Sequence, residues 1–313
     1  MKFSRTLAAL SAAVLTTVGL AACSGTGTSS DTQTVTGEDA VTVAVLTPYL
    51  GNATTKEVID DFQEIGQERG WGVSVRDTSG DMNLLNSAFQ DAVAQKPDAI
   101  VLGMGDPTQL SLGLTSASDA GIPVFAIDAA EADGIAANVT SDNAALGQQS
   151  AQALIDAMDG SGSIVMLTHD PHPGVRARAD GARETFQEAG ITILEEKHVA
   201  VPGPVDDARA SVQDIMTARG SAVNGIWGGW DEPALGATQA LEAAGISDVP
   251  VVGVDGQDFA IAEIDKGGPF KATIKQDWMS IATKVADLIQ DQLAGTAPDQ
   301  KQYELPGEFV GKE

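Results

Sequence analysis

The stretch 223–236, VNGIWGGWDEPALG, decides the fold. Aromatic residues make up 4% of the chain, yet two of its four tryptophans, Trp227 and Trp230, stand three residues apart here. Val223–Trp227 reads as the end of a buried strand. Gly228 and Gly229 allow a tight turn. Asp231 is suited to cap a helix opening at Glu232 and Pro233, since proline is tolerated in a first turn. Strand, tight turn and helix N-terminus put an indole and a carboxylate at the carboxyl end of a strand, where open α/β sheets bind ligands. The opposing reading makes both tryptophans core and Asp231 only a cap.

Outward from this stretch the same pattern recurs. Val41–Thr47, Gly72–Thr78, Ala99–Met104 and Pro123–Asp128 are short runs rich in β-branched residues. Between them, Val58, Phe62 and Ile65 in 54–69, and Leu84, Leu85, Phe89 and Val93 in 83–95, fall at helical spacing. Alternation of this kind predicts right-handed βαβ units and a parallel sheet. It starts again with strands at Ile164–His169, 191–199, Ala222–Trp227 and Pro250–Asp255, and helices at 175–189, 206–218 and 232–244. About four strands in each half predict two α/β lobes, each Rossmann-like, rather than one sheet. Breaks fall near 141–147 and 268–277, and an amphipathic last helix covers 278–293. Facing sheets would bring Thr47, Asp106, Asp128, His169, Trp230, Asp231, Asp255 and Gln257 to one cleft.

The amino end differs in kind. Lys2 and Arg5 precede an apolar run, Leu7–Leu20, which closes on LAAC with the sole cysteine, Cys23. This reads as a secretory leader over 1–22, too short for a spanning helix. LAAC resembles the lipobox of bacterial lipoproteins, which implies acylation of Cys23 and a lipid anchor outside the cytoplasmic membrane. Residues 23–40 are small and polar, a tether. A single cysteine permits no internal disulfide. Loss of Lys2 and Arg5 deepens the formal charge of −26 to −28. A surface this acidic repels nucleic acid and anionic lipid.

Seven segments, in order, resemble the periplasmic sugar-binding protein family of the ribose- and galactose-binding type. They are VLTPYLGN, GIPVFAID at 121–128, VTSDNAALG at 139–147, VRARADG at 175–181, WGGWDEPALG at 227–236, VVGVDG at 251–256 and ATIKQD at 272–277. The resemblance implies a type I periplasmic binding protein fold: two lobes with parallel sheets, joined by a three-strand hinge near 143, 270 and 300. On this reading 41–143 with 277–300 form the N-terminal lobe, and 144–276 with 301–313 the C-terminal lobe. It also implies a monomeric solute-binding lipoprotein, without catalysis or cofactor, that hands a sugar or polyol to an ABC permease and its ATPase.

Carried over by position, Asn52, Asp128, Arg176, Asp231, Asp255 and Gln276 bind sugar hydroxyls, with Arg178 the surface neighbour of Arg176. Ionised planar groups suit hydroxyls, which both donate and accept. Trp227, Trp230 and Tyr49 offer rings to the C–H face of a sugar. The chain departs from the pattern at Ala129, where many relatives carry arginine, and at Thr54 and Thr55, where many carry an aromatic pair.

Other classes fit less well. H-x-x-H at His169 and His172 lies in a proline-broken loop without cysteine, which opposes a metal site. No G-x-S-x-G elbow or G-x-x-x-x-G-K-[ST] loop is present. A sensory input module of the same fold, or a binder of an autoinducer-like furanosyl signal, remains as the alternative.

Overall fold

The computed structural model describes residues 40–312. The leader, Cys23 and nearly all of the tether lie outside the described residues. Five strands and three helices open the chain: β1 (Thr42–Thr47), α1 (Ala53–Glu68), β2 (Gly72–Asp77), α2 (Met82–Gln95), β3 (Ala99–Gly103), α3 (Ser111–Asp119), β4 (Val124–Ile127) and β5 (Ala137–Ser141). A second series follows: α4 (Asn143–Ala157), β6 (Ser163–Thr168), α5 (Pro173–Glu188), β7 (Thr192–His198), α6 (Pro204–Arg219), β8 (Gly225–Gly228), α7 (Asp231–Ala243), β9 (Val251–Asp255), α8 (Asp258–Lys266) and β10 (Phe270–Lys275). The chain then returns through α9 (Trp278–Leu293), β11 (Gln302–Leu305) and β12 (Glu308–Gly311).

Two six-stranded sheets result, ordered β11-β5-β4-β3-β1-β2 and β12-β10-β9-β8-β6-β7. Every pairing is parallel except β10 with β12. In both, the second strand of the series pairs outside the first and the third pairs on its other side. Each sheet thus has a switch point, between β1 and β3 and between β6 and β8, where crossover helices diverge to opposite faces and leave a crevice at the strand ends.

Helices cover both faces of each sheet. Val58, Phe62 and Ile65 of α1 and Ile281, Val285, Leu288 and Ile289 of α9 are buried on one face of the first sheet, as their spacing predicts. Leu85 and Phe89 of α2 fill the other face. Leu84, in the same run, is 43% exposed.

Six strands per sheet exceed the expected four, because β5, β10, β11 and β12 have mixed composition. Their pairing comes from position rather than from β-branched runs. The third crossing also moves. β11 pairs with β5 in the first sheet and β12 with β10 in the second, so the chain changes sheets at 306–307, not near 300.

Candidate functional site

The carboxyl ends of both sheets face a common cleft. Its deepest part is a small cavity between the lobes. The first lobe lines it with Tyr49, Asn52, Thr54, Thr55, Met104 and Asp128; the second with His169, His172, Val175, Arg178, Val201, Trp230 and Asp255. Tyr49, Met104, Asp128, His169, Trp230 and Asp255 lie at or just past the ends of β1, β3, β4, β6, β8 and β9, where a parallel sheet leaves its last side chains free.

Arg178 is the hub. From the buried face of α5, its Nε donates to Asn143 Oδ1 at 2.6 Å, and one terminal nitrogen donates to Gly229 O at 3.1 Å and Asp255 Oδ1 at 3.2 Å. The other terminal nitrogen reaches Asp128 Oδ2 in the first lobe at 3.3 Å. Asp128 Oδ1 also accepts from Thr140 Oγ1 at 2.5 Å and Asn143 Nδ2 at 2.9 Å. Burial alone would raise the Asp128 carboxyl, but Arg178 and these donors outweigh it and hold Asp128 below its ordinary value, ionised.

Asp255 is balanced differently. Its Oδ2 accepts from Thr54 Oγ1 of the first lobe at 2.6 Å and its Oδ1 from Gln276 Nε2 at 2.8 Å. Burial prevails over these bonds and over Arg178, and the carboxyl is pushed up to about 6. Both aspartates take positive φ, 43° for Asp128 and 132° for Asp255, which turns each carboxylate off its strand into the cleft.

A ring of aromatic side chains closes the cavity. His169 Nδ1 lies 2.9 Å from Val199 O and therefore carries the proton, so Nε2 accepts from Tyr49 OH across the cleft at 3.4 Å. His172 caps α5 by accepting from Val175 N at Nδ1, which puts its proton on Nε2, 3.7 Å from Asp128 Oδ2. Burial lowers both histidines, His172 to about 4, and keeps them neutral. Burial likewise pushes the Tyr49 hydroxyl up to about 12. Tyr49 lies 5.7 Å from both imidazoles and Trp230 lies 6.0 Å from His169, centroid to centroid.

Of the nine residues expected to bind ligand, the structure brings Tyr49, Asn52, Asp128, Trp230 and Asp255 to the cavity. The Asn52 Oδ1 atom is buried without a partner. Gln276 stands behind, bonded to Asp255.

Three expectations are corrected. Trp227 is fully buried on the opposite face of its sheet, packed in the cluster of α4 and α5, with Nε1 donating to Ser150 Oγ at 2.9 Å. Strand alternation turns its ring away from the cleft. Asp231 is fully buried too and neither lines the cavity nor caps α7. It joins β9 and β10 to the following turn, accepting from Thr273 Oγ1 at 2.7 Å and Gln257 N at 2.9 Å. Burial and the neighbouring Asp255 charge raise it well above the ordinary carboxylate value. Arg176 sits at the cleft mouth, 40% exposed, bridging to Asp106 at 2.9 Å, while Arg178 takes the interior place.

The signal for Arg178 was present. Val175, Arg178, Ala182 and Phe186 share the helical spacing of a buried face, and Arg176 falls off it. Thr54, Met104, His172 and Val201 carry no comparable signal.

Two close approaches hold α5 in place. A Cβ on Gly147 of α4 would stand 2.0 Å from Arg178 O, and one on Gly181 of α5 would stand 2.3 Å from Ala144 O. The helices cross backbone to backbone at the residue that carries the guanidinium.

Similar proteins share this architecture. The chain is 30% identical to the D-apiose import binding protein of Actinobacillus succinogenes, over 75% of this chain and 76% of the relative. It is 28% identical to a xylitol-binding protein of Mycolicibacterium smegmatis, over 92% and 82%. A crystal structure of an ABC transporter solute-binding protein from Agrobacterium vitis with bound allitol superposes with a TM-score of 0.82 at 26% identity, covering 88% of this chain and 96% of that one. Residues 43–297 match the periplasmic binding protein domain, and the chain belongs to that family of non-catalytic solute-binding proteins.

Proposed function

We propose that this protein is the solute-binding component of an ABC importer and that it captures a small sugar or polyol in the interlobe cavity. One observation carries the reading. Ionised Asp128, the Arg178 guanidinium, Asp255 and the free Asn52 oxygen converge from two lobes on a space walled by Tyr49 and Trp230. Hydroxyls need donors and acceptors together, and a pyranose, furanose or polyol chain offers C–H faces to the rings. The apiose, xylitol and allitol in the names of similar proteins are all small and polyhydroxylated.

In this reading the lobes rotate about crossings near 142, 276 and 306 and close on the ligand. The closed form, a monomer, docks on a membrane permease coupled to an ATPase. Acylated Cys23 and the tether hold it near that transporter at the outer surface of the membrane.

Calorimetric titration of residues 24–313 with xylitol, D-ribose, allitol and D-apiose tests the assignment. Binding of one or more, lost in Trp230→Ala and Asp255→Ala, is the expected result. No heat from any of them, or binding that survives both substitutions, overturns it. Mass spectrometry of the membrane-extracted protein checks the lipid on Cys23.

A further inference from the structure

Polar contacts that bridge the lobes around the cavity include Arg178 with Asp128, Arg176 with Asp106, Thr54 with Asp255, Tyr49 with His169, Gln257 with Glu57, and Ala53 with Glu232. The last differs in kind. Glu232, the second residue of α7, is 9% exposed. Its Oε1 accepts from the backbone N–H of Ala53, the first residue of α1 in the opposite lobe, at 3.3 Å. Its Oε2 accepts from Trp230 Nε1 at 3.2 Å. One carboxylate thus holds a backbone donor of the first lobe and the cavity-lining indole of the second.

We propose that Glu232 is a positioning residue that fastens the amino end of α1 to the Trp230 ring, making closure of the cleft and placement of that ring a single event. The inference rests on the reading of the cavity as the solute site. The physical basis is local. Asn52, at the cap position of α1, makes no side-chain cap bond, so the helix end keeps unpaired N–H groups and a partial positive charge. A carboxylate from the other lobe meets that charge only when the lobes are shut. With Oε1 seated there, Oε2 fixes the ring plane of Trp230 through its only polar atom. If the lobes open, Ala53 loses its acceptor, Glu232 is freed, and the indole can turn. Burial raises the Glu232 carboxyl, and its bonds to Ala53 and Trp230 offset that only in part, so loss of either donor leaves the buried group less well satisfied.

Ala53→Pro isolates the contact. Position 53 is the first of the helix, where proline is favoured, and Asn52 already has the extended backbone, φ −86° and ψ 141°, that precedes proline. The substitution deletes one N–H and leaves the backbone of the helix start intact. The probe is whichever of xylitol, D-ribose, allitol or D-apiose the wild type binds, followed by stopped-flow tryptophan fluorescence. Dissociation is expected to quicken about tenfold in Ala53→Pro and in Glu232→Ala, with association within about twofold of wild type. Glu232→Gln keeps one acceptor oxygen and should fall between.

The double variant should be no faster than Glu232→Ala alone, since both remove one interaction. Additive effects, or an unchanged rate in Ala53→Pro, overturn the proposal. If Glu232→Ala does not fold, Ala53→Pro with Glu232→Gln decides by the same rates. If no probe binds the wild type, the solute reading fails separately, and the indole N–H resonance of Trp230 in the ligand-free protein decides. A shift in Ala53→Pro supports the link, and an unmoved resonance overturns it.

Discussion

Asp128 and Asp255 are held on opposite nitrogens of one guanidinium, at 3.3 and 3.2 Å, although they end strands of different sheets. All three groups are nearly solvent-free. Arg178 both lines the cavity and joins the lobes, and removing it leaves two buried carboxylates facing each other. Arg178→Met should lower unfolding free energy by about 3–5 kcal/mol, as for other buried pairs that lose one partner. Arg178→Lys retains the charge but not the fork and should lose less. Urea denaturation measures both.

The two neighbouring tryptophans should separate in ligand affinity. Trp227→Phe removes the bond to Ser150 and opens space in a full core, at about 2 kcal/mol of stability, with ligand affinity unchanged. Trp230→Ala should lower affinity by about tenfold and, because the ring is also packed in the core of the second lobe, lower the melting temperature as well. Melting curves and calorimetry on the same preparations give the two readouts.

Stability should rise on mild acidification. The Asp255 and Asp231 carboxyls are raised in the folded chain, so their contribution is complete below the unfolded value and is lost as pH climbs through the folded one, about 6 for Asp255. Asp128 is lowered, so its contribution holds above the ordinary carboxylate value and is lost as pH falls through the folded one. The melting temperature should peak between about pH 4 and 6. Relief of self-repulsion in a chain of net charge −26 has the same sign. Asp255→Asn separates the two, because it flattens only the part due to that carboxyl.

Gly147→Ala should destabilise by about 1–3 kcal/mol and weaken ligand binding as well. The added methyl meets the Arg178 carbonyl oxygen, so α5 must shift and take the guanidinium with it. A control at Gly160, where an added Cβ meets nothing, bears only the strain of a φ of 75° and should leave affinity intact. Chemical denaturation and calorimetry distinguish them.

The fold was legible because its signals are repetitive: apolar β-branched runs, helices at 3.6 spacing, and polar residues at each strand end. The site was legible where a side chain follows directly from a strand end, as for Asp128, Asp255 and Trp230. It was misread where direction depends on helix phase, a signal the sequence does carry, and not legible where it depends on strand face. Arg176 and Arg178 differ only in the side of α5 they occupy, and Trp227 differs from Trp230 by lying inside the strand rather than past it. Asp231 looks like a helix cap in sequence; its partners, Thr273 and Gln257, come from segments 42 and 26 residues away, which no local pattern reveals. The short edge strands escaped notice for the same reason.

Those edge strands bear on how the chain is made. β11 closes the flank of the first sheet and β12, three residues later, that of the second. A ribosome delivers residues in order, so the first sheet, begun at residue 42, must wait for residue 305 before its margin is sealed. Until 302–311 emerges, both halves carry an open, pairing-competent border. A nascent chain of this protein therefore keeps both of these borders unsealed until residues 302–311 have been made.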